Sequence, residues 1–226
     1  DVAAGANYSV STAFTLPAVA DGLYRILVFT DAGGAVFEGD HELDNQSIAA
    51  QALSVGHADL RVTSLAAAQR VESGSPLTVT WAVTNAGTAA ALGSWTDRLF
   101  VSSDTTLDGA DRQIGSAVRT GPLIPGGGYT VSLDAAIPVD LSGARYLLVK
   151  TDAAGQVIEL AGENDNVSTM PITIDLAPYA DLAVTSVTAP AQTIGDPARI
   201  TVDWSVENLG TGAGLTPTWV DRIVAS

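Results

Sequence analysis

Cysteine is absent from this sequence, which excludes a disulfide frame, a thiolate nucleophile and a zinc–thiolate centre; stability must come from a packed core or from bound ions. Positive charge is scarce, with 10 Lys and Arg against 25 Asp and Glu and a formal net charge of -15. Nucleic acid and anionic membrane surfaces would both repel such a chain, and multivalent cations are the natural counter-partners. Charge of either sign is thin: 15% of residues, against a usual level of about 25%. The acids are dispersed among apolar segments, so they do not form a disordered acidic tail. Residues 1–226 hold no apolar run of about 18 residues and no basic-then-apolar start, so neither a membrane span nor a signal peptide is visible in them. If the protein is secreted, its signal lies outside these residues. Histidine occurs only at positions 41 and 57, which leaves few routes to general-base chemistry.

What is present is a core's worth of hydrophobic residues, 46% of the chain, with 22 glycines. These residues repeat. Ala58-Asp59-Leu60 returns as Ala180-Asp181-Leu182, LTVTWAVTNAGT at 77–88 as ITVDWSVENLGT at 200–211, and SWTDRLFVS at 94–102 as TWVDRIVAS at 218–226. The beginning of the chain matches the middle in the same manner. Tyr8-Ser9-Val10-Ser11 pairs with Tyr129-Thr130-Val131-Ser132, and TDAGGAVFEGDHELDNQS at 30–47 pairs with TDAAGQVIELAGENDNVS at 151–168. The organisation expected is the back half of a repeat in 1–57, a whole repeat in 58–179 and the front half of another in 180–226. The complementary halves would be completed in cis by neighbouring repeats, or in trans by a head-to-tail neighbour.

Within the whole repeat the apolar period is two. Leu77, Val79, Trp81 and Val83 alternate with Thr78, Thr80, Ala82 and Thr84, so one face turns inward and a threonine-rich face meets water. Similar strands are predicted over 59–65, 95–102, 113–118, 129–135, 145–151 and 167–175. About seven strands in roughly 120 residues, punctuated by clusters such as PGGG at 125–128, predict an all-β protein of tandem immunoglobulin-like sandwiches. The stretch 86–93, AGTAAALG, is ambiguous and admits a helical turn. Between ITIDL and DLAVTS stand only residues 177–180, and Pro178 stiffens this joint, as suits a semi-rigid rod.

The ADLxVTS opening, the W-x-V-x-N strand, the W-x-DR-x-x-x-S segment, the SSDTTLDGAD turn and the E-N-D-N-V-S close resemble the cell-adhesion-related domain of bacteria, CARDB. The resemblance spans nearly the whole unit and its two partial copies. It implies an immunoglobulin-like module found in tandem in large secreted or surface proteins, without catalytic activity. The expected role is thus a structural and adhesive repeat segment of an extracellular stalk, adhesin or filament, which would engage a cell-surface ligand.

Two acidic groups have oxygen-donor spacing suited to calcium. One is Asp104, Asp108 and Asp111 in SSDTTLDGADRQ, where the competing reading is a set of Asx-turns capping their own backbone. The other is Glu159, Glu163 and Asp165 with Asn166, repeated at Glu38, Glu42, Asp44 and Asn45. Its preferred reading is a turn whose side chains satisfy backbone amides. No GxSxG, HExxH or phosphate-binding loop is present, and His41 and His57 align with Gly162 and Tyr179, so no enzyme is expected. Trp81 and Trp204 fall at inward positions and read as core. Trp95 and Trp219 precede an Asp-Arg pair that reads as surface, which makes the Trp95 region the contact of an alternative glycan- or protein-binding module.

Overall fold

The computed structural model describes residues 2–39, 41, 44–160, 165–214 and 216–225. Among the described residues the elements named below are all β-strands. The first segment carries β1 (Gly22–Tyr24), β2 (Leu27–Phe29), β3 (Gln46–Ile48) and β4 (Leu53–Val55). A continuous set of eight follows: β5 (Leu60–Ala67), β6 (Arg70–Glu72), β7 (Pro76–Asn85), β8 (Ser94–Ser102), β9 (Arg112–Thr120), β10 (Gly128–Ala136), β11 (Gly143–Lys150) and β12 (Val167–Asp175). The last segment adds β13 (Leu182–Thr188) and β14 (Asp203–Asn208).

Strands β5 to β12 make two sheets, in the orders β10-β7-β5 and β6-β12-β11-β8-β9. Alternation explains their facing. Leu77, Val79, Trp81 and Val83 of β7 are buried, together with Trp95, Leu99 and Val101 of β8, Leu147 and Val149 of β11, and Ile172 and Ile174 of β12. These side chains form one core cluster with Leu60 and Ala135, the pattern of a sandwich whose inner faces interlock. On the outer face of β7, Thr78 donates to Asp134 Oδ1 at 2.5 Å and Thr80 to Ser132 at 3.4 Å, a cross-strand polar ladder that leaves no apolar stripe to water.

One ambiguity resolves and one strand is new. Residues 86–93 form bends and no helical turn, with Ala91 bridged to Leu123. Strand β6 was not foreseen, because three residues are too few to show a period; it pairs parallel with β12 from Thr173↔Arg70 to Asp175↔Glu72. A two-pronged contact holds it there, Arg70 Nε and Nη2 donating to Asp175 at 2.5 and 2.6 Å.

The flanking segments copy the local geometry of the sandwich. β2 pairs with β3 as Leu27↔Ile48, Val28↔Ser47 and Phe29↔Gln46, the same register as Leu148↔Thr169, Val149↔Ser168 and Lys150↔Val167. β13 and β14 repeat the pairing of β5 with β7, including the irregularity, which falls between Val184 and Ser186 in one and Val62 and Ser64 in the other. The difference lies in cover. Trp81 is 0% exposed and its counterpart Trp204 40%; Trp95 is 0% exposed and Trp219 60%. The expectation that Trp204 is core therefore fails: among the described residues of 180–225, no second sheet packs over β14.

The loop after β7 comes very close to the start of β5. A Cβ placed on Gly87 would lie 2.3 Å from the His57 carbonyl oxygen and 2.7 Å from the Asp59 nitrogen, both backbone atoms that cannot swing aside. Gly87→Ala is expected to cost about 1–3 kcal/mol, the usual range for forced overpacking. Urea titration of the full chain measures it; an unchanged midpoint would contradict the close approach.

Candidate functional site

The turn after β8 is built from its own carboxylates. Asp104 Oδ1 accepts from the Thr106 amide at 2.8 Å, Asp108 Oδ1 from the Ala110 amide at 2.7 Å, and Asp111 Oδ2 from the Asp108 amide at 2.8 Å. Asp104 and Asp108 thus form Asx-turns, while Asp111 reaches back to close the loop on Asp108. Among the described residues no three Asp, Glu, His or Cys side chains come together as a metal-binding group.

In the second acidic group, Glu163 lies outside the described residues, as does Glu42. Glu159 is a structural tie: one oxygen accepts from the Leu60 amide and the other from Asn166 Nδ2 at 2.6 Å. Asp165 sits 2.9 Å from Arg61 Nε, and Arg61 Nη2 donates to Asp59 at 2.6 Å. One guanidinium therefore separates two carboxylates that would otherwise repel. Among the described residues, the buried acceptors Asp59 Oδ1, Asp165 Oδ1 and Asn166 Oδ1 meet no hydrogen-bond partner.

The most concentrated polar site is one the sequence reading placed at the surface. Asp97 is 0% exposed, because the alternation of β8 that buries Trp95 and Leu99 also turns Asp97 inward. Its carboxylate receives Trp81 Nε1–H at 2.9 Å, the Thr151 hydroxyl at 2.7 Å and the Tyr129 hydroxyl, 2.9 and 3.0 Å from its two oxygens. Trp95 Nε1–H donates to the Tyr129 oxygen at 3.0 Å. Burial pushes the Tyr129 hydroxyl well above the ordinary tyrosine range, and the Asp97 charge adds to the shift. Tyr129 thus remains a donor. Trp81 and Tyr129 come from one sheet and Trp95, Asp97 and Thr151 from the other side, so the network joins the two layers. A carboxylate enclosed in this way cannot reach a substrate.

The signal for this network was recurrence. Tyr129, Trp81 and Asp97 return as Tyr8, Trp204 and Asp221, and the partial copies keep part of the bonding: Tyr8 lies 3.2 Å from Thr30 as Tyr129 does from Thr151, and Trp204 Nε1 donates to Asp221 at 3.1 Å. Asp152 and Asp31 recur likewise, at φ 42 and 43. Each caps two following amides at 2.8 Å.

His57 serves a joint. Its Nδ1 is 2.5 Å from Asp21 Oδ1, and the Thr88 hydroxyl donates to the other Asp21 oxygen. The Thr88 hydrogen bond first, and His57 second, hold the Asp21 carboxyl below the usual carboxylate range. A depressed acid stabilises the folded contact above its unfolded value near about 4, and that contribution is lost as pH falls through the lower folded value. The protection factors of the Thr88 and Ala89 amides, taken relative to intrinsic exchange at each pH, are therefore expected to fall below about pH 4, and Asp21→Asn to remove the acid limb. A flat profile in both proteins would contradict this assignment.

A family model described as CARDB matches residues 57–170, half of the chain. Among solved structures, the crystal structure of a CARDB domain from Pyrococcus furiosus in complex with di-metal ions is 16% identical, covers 53% of this chain and 90% of its own, and has a TM-score of 0.41. A solution structure of a CARDB domain from the same organism is 19% identical, with 54% and 98% covered and a TM-score of 0.41. A β-glucosidase from Erythrobacter marinus is 14% identical, covering 55% of this chain but 16% of that enzyme, at a TM-score of 0.35. A search of curated proteins gives no match.

Proposed function

This chain belongs to the CARDB family, and from that premise we propose that it is a non-catalytic structural and adhesive repeat segment of an extracellular bacterial stalk, adhesin or filament. Residues 58–179 are one repeat in this reading, with 1–57 and 180–226 the back and front halves of its neighbours. The observation that carries it is the burial of Trp95, which is 0% exposed with its indole N–H committed to Tyr129. An aromatic platform for a glycan needs a free ring face. Trp95 offers none, so the alternative contact loses its central residue.

Brief protease treatment of intact cells tests the placement. Peptides from residues 58–179 are expected in the released fraction. Peptides that appear only after lysis would overturn the extracellular reading.

A further inference from the structure

The joints at residues 56–57 and 177–180 seat their linkers alike. At the first, the His57 carbonyl accepts the Thr88 and Ala89 amides at 2.9 and 3.0 Å; at the second, the Tyr179 carbonyl accepts the Gly212 amide at 2.9 Å. A glycine permits the close approach each time, on the linker at the first joint and on the loop at the second. A Cβ on Gly56 would lie 2.7 Å from Thr88 Oγ1, and one on Gly212 2.7 Å from the Pro178 carbonyl carbon. Gly56 stands where Pro178 does, and Ala89 where Gly212 does. Each linker is thus fixed to the repeat that follows it, and bending is left to the contact with the repeat before it.

The ties to the preceding repeat differ. At the second joint the Ala177 amide donates to Ser73 Oγ at 2.9 Å. At the first, the tie is a carboxylate placed by strand register: Gly22 lies opposite Val55, so Asp21 stands beside the linker that continues from β4. One of its oxygens meets His57 Nδ1 at 2.5 Å, and the other crosses to the central repeat, where it accepts the Thr88 hydroxyl. An ionised carboxylate only accepts, so His57 carries a proton on Nδ1. Arg61, which lines the same cleft, is engaged by Asp59 and Asp165, and this leaves Asp21 to the histidine and the threonine. Ser142 and Tyr179 occupy the positions of Asp21 and His57 at the second joint, so the ionic tie belongs to the first joint and is not a general property of the repeat.

We propose that Asp21 is a clasp between two consecutive repeats: its carboxylate bridges the linker and the Thr88 loop, and so fixes the angle at which residues 22–55 meet residues 58–179. Domains joined by a small polar contact move relative to one another by default. Two hydrogen bonds to one charged group on a short side chain remove that freedom here. Stiffness is then set joint by joint, through residues that differ between copies. The inference uses the repeat boundaries and fails separately from them: the boundaries fail if residues 58–179 do not fold alone, the clasp if the joint is indifferent to Asp21.

The absence of native cysteine lets spin labels be placed singly. Ser47 and Ser116 are exposed, one on each side of the joint, and double electron–electron resonance on the full-length S47C/S116C protein is expected to give one narrow distance distribution. Asp21→Ala should broaden it at least twofold. Thr88→Val removes only the bond that crosses the joint and should broaden it as well. A label pair inside the central repeat, S116C/T173C, should keep its width in both variants, which separates motion at the joint from loss of the fold. Equal widths in the parent and Asp21→Ala, whether both narrow or both broad, overturn the proposal, as does an unaffected Thr88→Val. Broadening of the central pair overturns it too, since the effect would then lie in the sandwich itself.

Discussion

Asp97→Ala is expected to lower the stability of the complete sandwich by about 3 kcal/mol or more, since three buried donors lose their acceptor at about 1–3 kcal/mol each, partial relaxation included. The substitution leaves Trp81 Nε1–H, the Thr151 hydroxyl and the Tyr129 hydroxyl without their common acceptor. No water can replace it unless the core opens, since Asp97 is 0% exposed. A loss of this size is comparable with the roughly 5–15 kcal/mol by which a domain is stable at all. Asp97→Asn keeps one acceptor oxygen but turns an amide donor toward other donors, so it should recover only part of the loss. Urea denaturation followed by tryptophan fluorescence reads both variants. An Asp97→Ala protein within about 1 kcal/mol of the parent, the size of an ordinary surface effect, would show that the network does not join the sheets.

Asn85→Ala is the second large effect. Asn85 is 0% exposed; its Oδ1 accepts the amides of Asp59 and Gly87 at 3.0 Å each, and its Nδ2 donates to the carbonyls of Ala89 and Leu123 at 2.8 Å each. Removing it strands the Asp59 and Gly87 amides and the Ala89 carbonyl, while the Leu123 carbonyl keeps the Ala91 amide at 3.0 Å. At about 1–3 kcal/mol for each buried group left unmet, partial relaxation included, a total of about 3 kcal/mol or more follows. Asn208 makes three of the same contacts, with the Asp181 and Gly210 amides and the Gly212 carbonyl, but it is exposed. Asn208→Ala should therefore cost much less, since water reaches the freed groups. Equal losses at the two sites would remove burial as the explanation.

The period-two pattern of Leu77, Val79, Trp81 and Val83 was enough to find β7 and its facing, because alternation is a property of the strand itself. The seven strands anticipated in the central unit all form, with limits moved by a few residues. Legibility ended where a residue's environment depends on the opposite sheet. Asp97 follows Thr96 and precedes Arg98, and an Asp-Arg pair on one strand reads as surface; its burial is set by Tyr129 and Thr151, more than 30 residues away. The same holds for Glu159, whose tie to the Leu60 amide spans 99 residues. β6 was invisible for a different reason, since a three-residue parallel pairing leaves no periodic trace. Recurrence carried what pattern could not: Tyr8 with Tyr129 and Asp31 with Asp152 marked positions whose geometry is the same in both copies.

Comparing the thermal unfolding of two fragments by circular dichroism tests the central claim, that residues 58–179 are one complete module and residues 180–226 only part of another. The 58–179 fragment holds both sheets and the whole Asp97 network, and is expected to show β-sheet signal with a single cooperative melt. The 180–226 fragment has one two-stranded pairing and an uncovered apolar face, which is too little to hold structure in water, so it should show neither. A cooperative melt from 180–226 alone, or none from 58–179, would contradict the modular account.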